Sequence, residues 1–163
     1  MLGETGRLGH GWNLDPLLTN VPMVIIRPQA EGIKVNLSPG MQADILPTAL
    51  GLTMNGAERL APCQGRDLLN QQQPAPDTES RRIFLTSMTQ TAIVEDNRYY
   101  WFSEDRNRTP LAFSFNYENG RTVFRPLPAA DQSDYSRLRA LCDAFVDLQR
   151  QLLQNLHILK DFN

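Results

Sequence analysis

The stretch from Gln42 to Leu52, Gln-Ala-Asp-Ile-Leu-Pro-Thr-Ala-Leu-Gly-Leu, constrains this chain more than any other, because it combines an acidic cap, an early proline and helical apolar spacing. Asp44 can accept hydrogen bonds from the free N–H groups of the turn that follows. Pro47 is tolerated where those groups have no intrahelical partner, and would break the helix one turn later. Ile45, Ala49 and Leu52 fall on one face with Leu46 and Leu50 beside it, and Gly56 follows as a stop. The pattern predicts a buried, N-capped helix.

The other elements can be placed around it. Val21-Pro22-Met23-Val24-Ile25-Ile26-Arg27-Pro28 is a continuous apolar run bracketed by prolines, which predicts a strand buried on both faces, as in a parallel sheet. Gly32 and Ser38-Pro39-Gly40 then connect it to the helix, a strand-to-helix order of α/β type. Residues 70–80 hold three consecutive glutamines and two prolines and read as a surface loop. Beyond them the signals turn antiparallel. Arg82 to Met88 reads as a strand, Thr91–Glu95 and Arg98–Ser103 as a hairpin across Asp96-Asn97, and Ala112–Tyr117 with Arg121–Arg125 as a second hairpin turning at Glu118-Asn119-Gly120. From Ser133 to about Leu159, Leu138, Leu141, Phe145, Leu148, Leu152, Leu156 and Leu159 recur at three- and four-residue steps, the stripe of an amphipathic helix. Asp131 or Ser133 can cap it. The stripe suits packing on this domain or on a partner.

At 163 residues the chain has room for one domain with a core. A net charge of -2 and scattered arginines make no electrostatic case for nucleic acid or an anionic bilayer. No apolar run approaches the roughly 20 residues of a membrane span, and Met1 to Arg7 lacks the apolar core of a signal peptide. Cys63 and Cys142 are too few for a disulfide framework. Two thiols are expected, with a single bridge open to them in an oxidising compartment.

Gly9-His10-Gly11, Val21-Pro22-Met23-Val24-Ile25, Asp44-Ile45-Leu46-Pro47-Thr48-Ala49-Leu50 and Gly65-Arg66-Asp67-Leu68-Leu69, in that order and at those gaps, resemble the latter half of the sulfatase-like branch of the alkaline phosphatase superfamily. That branch includes arylsulfatases, lipoteichoic acid synthases and phosphoethanolamine transferases. The resemblance implies an α/β fold, the C-terminal portion of an alkaline-phosphatase-like α/β/α sandwich, with antiparallel hairpins and a long C-terminal helix. Residues 1–69 would belong to the main sheet and 81–163 to the antiparallel strands and final helix of a single, partial domain. It also implies a divalent metal (manganese, magnesium, calcium or zinc) in the complete domain, a periplasmic or extracytoplasmic setting, and a scaffold role for residues 44–52.

The departures from the family pattern bear on chemistry. Members carry Asp-His-Gly-Glu upstream of the His-Gly pair, its Asp and His being metal ligands, because a hard cation needs carboxylate and imidazole donors. Met1-Leu2-Gly3-Glu4 stands at the aligned positions, so the chain is read as starting within that segment and binding no metal itself. The family's Thr, Ser or Cys nucleophile has no counterpart here. Pro62-Cys63-Gln64-Gly65-Arg66 misses the sulfatase cysteine motif, since Gly65 replaces Pro or Ala and Arg66 comes one residue early. His10 is the residue that carries over: at this position in transferase members a His lies near substrate and could hydrogen-bond a phosphate or protonate a leaving oxygen. Trp12 could wall the same pocket. His157, beside Leu156, reads as structural, and Glu95-Asp96 and Glu104-Asp105 as solvated acids.

Two function classes follow. One is a sulfatase-like hydrolase or phospholipid-headgroup transferase fragment, catalytically silent alone. The other is a non-catalytic binding or assembly module that keeps the scaffold. Such a module would pair with a missing N-terminal half, or with itself through an exposed sheet edge.

Overall fold

The computed structural model of the chain describes residues 14–26, 32, 35, 36, 38–53, 65–69, 81–128 and 134–155. Two compact units emerge, one formed by Met1–Met23 with Ser80–Asn163 and the other by Val24–Glu79.

The first unit begins with a single helical turn, α1 (Pro16–Thr19). Pro16 sits where its missing N–H costs nothing, and the Asp15 carboxylate accepts from the Leu17 N–H at 2.9 Å. Five strands follow: β1 (Arg82–Thr86), β2 (Gln90–Glu95), β3 (Arg98–Ser103), β4 (Leu111–Glu118) and β5 (Arg121–Pro126). They form one antiparallel meander in sequence order, as short polar turns between strand-forming runs require. Both expected hairpins are present, with Glu95 opposite Arg98 and Glu118 opposite Arg121. Asn119 and Gly120 take φ of 50° and 81°, the left-handed pair a two-residue hairpin needs.

Strand register divides the side chains between two faces. Phe84, Ile93, Tyr100, Phe102 and Ala112 share the face covered by α3 (Tyr135–Asn155), which contributes Leu138 and Cys142 to the buried cluster. Phe145 of α3 stacks on Phe84 with ring centroids 4.4 Å apart, and Tyr135 meets Tyr100 and Phe102 edge-on. The expected amphipathic helix is therefore a packing element over its first three turns. From Asp147 to Asn155 every residue is exposed, and Leu156, Leu159 and the expected caps Asp131 and Ser133 lie outside the described residues.

On the opposite face the register places Ile83, Ala92, Val94, Tyr99, Phe113, Phe115 and Phe124. The segment around α1 lies against part of it. Tyr99 Oη donates to the Leu14 carbonyl at 2.6 Å, and the Leu14 N–H donates to Gln90 Oε1 at 2.8 Å. Leu14 and Pro16 are buried there. Both faces of the sheet are thus apolar, and two stretches of chain far apart in sequence cover them.

The second unit is built on α2 (Ile45–Thr53), entered through a 3-10 turn at Gln42–Asp44. The helix lies where the sequence places it, but its orientation does not follow the apolar spacing. Asp44, Pro47 and Thr48 are the buried residues, whereas Ile45, Leu46, Ala49 and Leu52 face solvent, Leu46 being 61% exposed. The cause is polar: Asp44 and Thr48, one turn apart, accept backbone N–H groups of residues 66 and 68, and buried backbone donors take precedence in setting which face turns inward.

A second correction concerns residues 21–26. The expected parallel strand is absent; the run is irregular and exposed, with Ile26 88% accessible. A parallel strand exists only through hydrogen bonds to neighbours, and the described strands of the chain are all used in the antiparallel meander. The expected surface loop at 70–80 lies outside the described residues.

Candidate functional site

The stretch that carries the strongest sequence signal folds into a clasp. Residues 65–69 run back against the start of α2. The Asp44 side chain, fully buried, accepts from the Met41 N–H at 2.8 Å through one oxygen and from the Arg66 N–H at 2.9 Å through the other. One turn on, Thr48 Oγ1 accepts the Leu68 N–H at 3.0 Å. Asn36 Nδ2 donates to the Leu68 carbonyl at 3.0 Å from the other side. Two glycines permit the close approach: a Cβ on Gly65 would collide with the Ala43 carbonyl, and one on Gly51 with the Asp67 carboxylate. Asp44 therefore reaches back to Met41 and across to Arg66.

Among the described residues, both carboxylate oxygens of Asp44 and the Thr48 hydroxyl oxygen accept backbone N–H groups. A reacting group needs a lone pair or proton directed at an accessible point, and Asp44 and Thr48 are both buried.

The acidic pairs sort differently. Glu95 is not a solvated acid: Arg82 Nε lies 2.6 Å from one oxygen and Arg137 Nη2 3.0 Å from the other. Burial opposes its charge, but the hydrogen bonds and positive charge of Arg82 and Arg137 outweigh it and lower its pKa. This network ties β1 and β2 to the start of α3, where Arg137 also pairs with Asp134. Asp96, Glu104 and Asp105 are exposed, as expected; Asp96 occupies the β2–β3 turn with φ 54°. Beside that turn an open groove is lined by Asp96, Asn97, Arg98, Ser114, Phe115 and Asn116. It is shallow and mainly polar, unlike the enclosed apolar cavities that hold small ligands.

Cys142 is a core residue, 1% exposed, and burial pushes its thiol up to about 11, which removes it as a nucleophile at neutral pH. Burial likewise raises Tyr99 to about 12, keeping it a hydrogen-bond donor to Leu14. His10, Trp12, Cys63 and His157 lie outside the described residues. Among the described residues no three His, Cys, Asp or Glu side chains converge as a metal site would require. Sequence reasoning did not anticipate the Leu14–Tyr99–Gln90 contacts, for which no local signal exists: they join residues more than 70 positions apart.

No family model, curated protein or solved structure matches the chain.

Proposed function

We propose that this chain carries scaffold of a sulfatase-like, metal-dependent hydrolase or phospholipid-headgroup transferase acting on sulfate or phosphate esters outside the cytoplasm, and that it turns over no ester by itself. One observation supports the reading above others. The stretches at 44–50 and 65–69, which bear the resemblance, interlock through Asp44 and Thr48, so their co-occurrence has a physical reason. The clasp holds α2 with Ile45, Leu46, Ala49 and Leu52 outward, the surface a helix lying on the sheet of an α/β sandwich would use. The exposed run at 21–26 has the composition of a strand in such a sheet. His10 is the residue assigned to substrate.

Purified protein incubated with aryl sulfates and with phosphate mono- and diesters in manganese, magnesium, calcium or zinc is expected to give no turnover. Metal-dependent hydrolysis abolished by His10→Ala would overturn the silent-scaffold reading.

The second reading, a non-catalytic assembly module, draws on the same exposed surfaces. Val21, Val24 and Ile26 are each more than three-quarters accessible, and apolar runs of that kind are normally covered by a partner.

A further inference from the structure

Two Asn-Gly pairs stand in the sequence, Asn55-Gly56 and Asn119-Gly120, and the second forms the β4–β5 turn. Such a pair is reactive as well as turn-forming, because glycine puts no side chain between its own amide nitrogen and the asparagine carboxamide carbon. The turn geometry decides whether the two atoms meet. Asn119 and Gly120 have φ of 50° and 81°, and Glu118 pairs with Arg121 across them, which defines a type I′ turn. In that turn the central peptide directs the Gly120 nitrogen away from the Asn119 side chain. Flipping this one peptide gives a type II′ turn, which keeps φ of Asn119 positive and still closes a two-residue hairpin. The flip also swings the Gly120 nitrogen onto the carboxamide carbon, at the spacing of a five-membered ring. The surroundings leave the peptide free to turn. Asn119 and Gly120 are exposed, and a Cβ on Gly120 would meet nothing within 4 Å among the described residues. The register of β4 on β3 ends at Ser114, so the last residues of β4 pair with β5 alone. Below the turn, Arg125 donates to both Glu118 oxygens at 2.8 Å, which holds the strand ends together while the peptide rotates.

We propose that Asn119 is a self-modification site, converted in the folded protein to aspartate and isoaspartate through the flipped turn. The Gly120 N–H gives its proton to solvent and the nitrogen attacks Asn119 Cγ. The new N–Cγ bond forms, the Cγ–Nδ2 bond breaks, and Nδ2 takes up a proton and leaves as ammonia, giving a cyclic succinimide. Water then opens the ring at either carbonyl, so that one water is consumed for each ammonia released. Attack at Cγ restores the ordinary backbone with aspartate at 119. Attack at the backbone carbonyl instead routes the main chain through the side chain, as isoaspartate. The aspartyl form keeps the hairpin, since Asp-Gly also suits a type I′ turn. The isoaspartyl form has a main chain one carbon longer, which no longer fits the two-residue span between Glu118 and Arg121, and the hairpin end opens. Both products add a negative charge beside Glu118. A non-glycine residue in the first position of a type II′ turn is strained, so the reaction runs roughly 10- to 100-fold slower than in the unfolded chain. This inference rests on the β4–β5 turn alone and is independent of the family reading.

The whole chain is aged at neutral pH and body temperature in a series of urea concentrations that stop short of the unfolding transition, with a fully denatured sample beside it. Mass spectrometry of proteolytic peptides follows residue 119 separately from residue 55, and methyl transfer by an isoaspartyl methyltransferase counts isoaspartate. Asn119 is expected to convert in the native protein at a rate that does not change across the sub-denaturing series, roughly 10- to 100-fold below the denatured rate. A peptide flip exposes almost no surface, whereas a route through the unfolded chain accelerates with denaturant as the unfolded population grows. A rate at Asn119 that climbs with urea in this way assigns the reaction to the unfolded chain and overturns the proposal. So does an unmodified Asn119 in native protein kept several hundredfold longer than the denatured chain needs for conversion.

Discussion

Replacing Asp44 with alanine is the sharpest perturbation of the clasp, because the side chain is fully buried and accepts at least two backbone N–H groups, from Met41 and Arg66. Alanine leaves both donors without a partner in a space too confined to admit full hydration. Hydrogen bonds to a charged acceptor contribute about 1.5–3 kcal/mol each, so the local cost of D44A is expected at about 3–5 kcal/mol. Asp44→Asn keeps the volume and one acceptor oxygen but presents an N–H2 to the other backbone donor, and should fall between alanine and wild type. Native-state hydrogen exchange resolves the effect: a loss of about 3 kcal/mol accelerates exchange roughly a hundredfold at the amides of Arg66 and Leu68. Amides of β2 and β3, in the other compact unit, are expected to keep their protection. Unchanged protection at Arg66 in D44A, or an Asn variant indistinguishable from wild type, would refute the claim that this carboxylate closes the clasp.

Three further outcomes follow from the sheet unit. Among the described residues the buried Tyr135 hydroxyl finds no hydrogen-bond partner, so Tyr135→Phe should raise stability by about 1 kcal/mol, or about 4 °C in Tm by calorimetry; a destabilised variant would reveal a partner for the hydroxyl. Glu95 has a pKa lowered by Arg82 and Arg137. Its contribution is therefore present above the unfolded-state value and lost as pH falls through the lower folded value. Urea midpoints measured from pH 6 down to pH 3 should drop more steeply for wild type than for Glu95→Gln, with about 1 kcal/mol separating the variants near neutrality, and parallel curves would count against the network. Cys142, with its thiol pushed up to about 11, should resist an aromatic disulfide reagent at pH 8 in a Cys63→Ser background until denaturant is added. Prompt labelling of the native protein would contradict its place in the core.

The glycine lesson is narrower. Gly65→Ala would force the Ala43 carbonyl aside, and the clasp tolerates that only by opening.

What the amino-acid sequence determined by itself was everything whose physics is local. Alternation, two-residue turns and a three-and-four-residue apolar stripe specified β2 to β5 and the course of α3, because each signal acts between neighbours along the chain. Asp44 and Pro47 likewise marked where α2 begins. What only the tertiary structure decided was which surfaces are inside. The apolar face of α2 was legible, but its burial was not, since orientation depends on Asp44 and Thr48 finding donors about twenty residues away. The run at 21–26 has the composition of a buried strand, yet burial and pairing come from neighbours that no residue within the run can supply. The Leu14–Tyr99 contact, across 85 positions, left no mark on either segment. In the candidate site, residues 44–50 and 65–69 carry a signal of their own because close approach of two backbones demands particular residues at particular spacings, such as Gly65 against the Ala43 carbonyl.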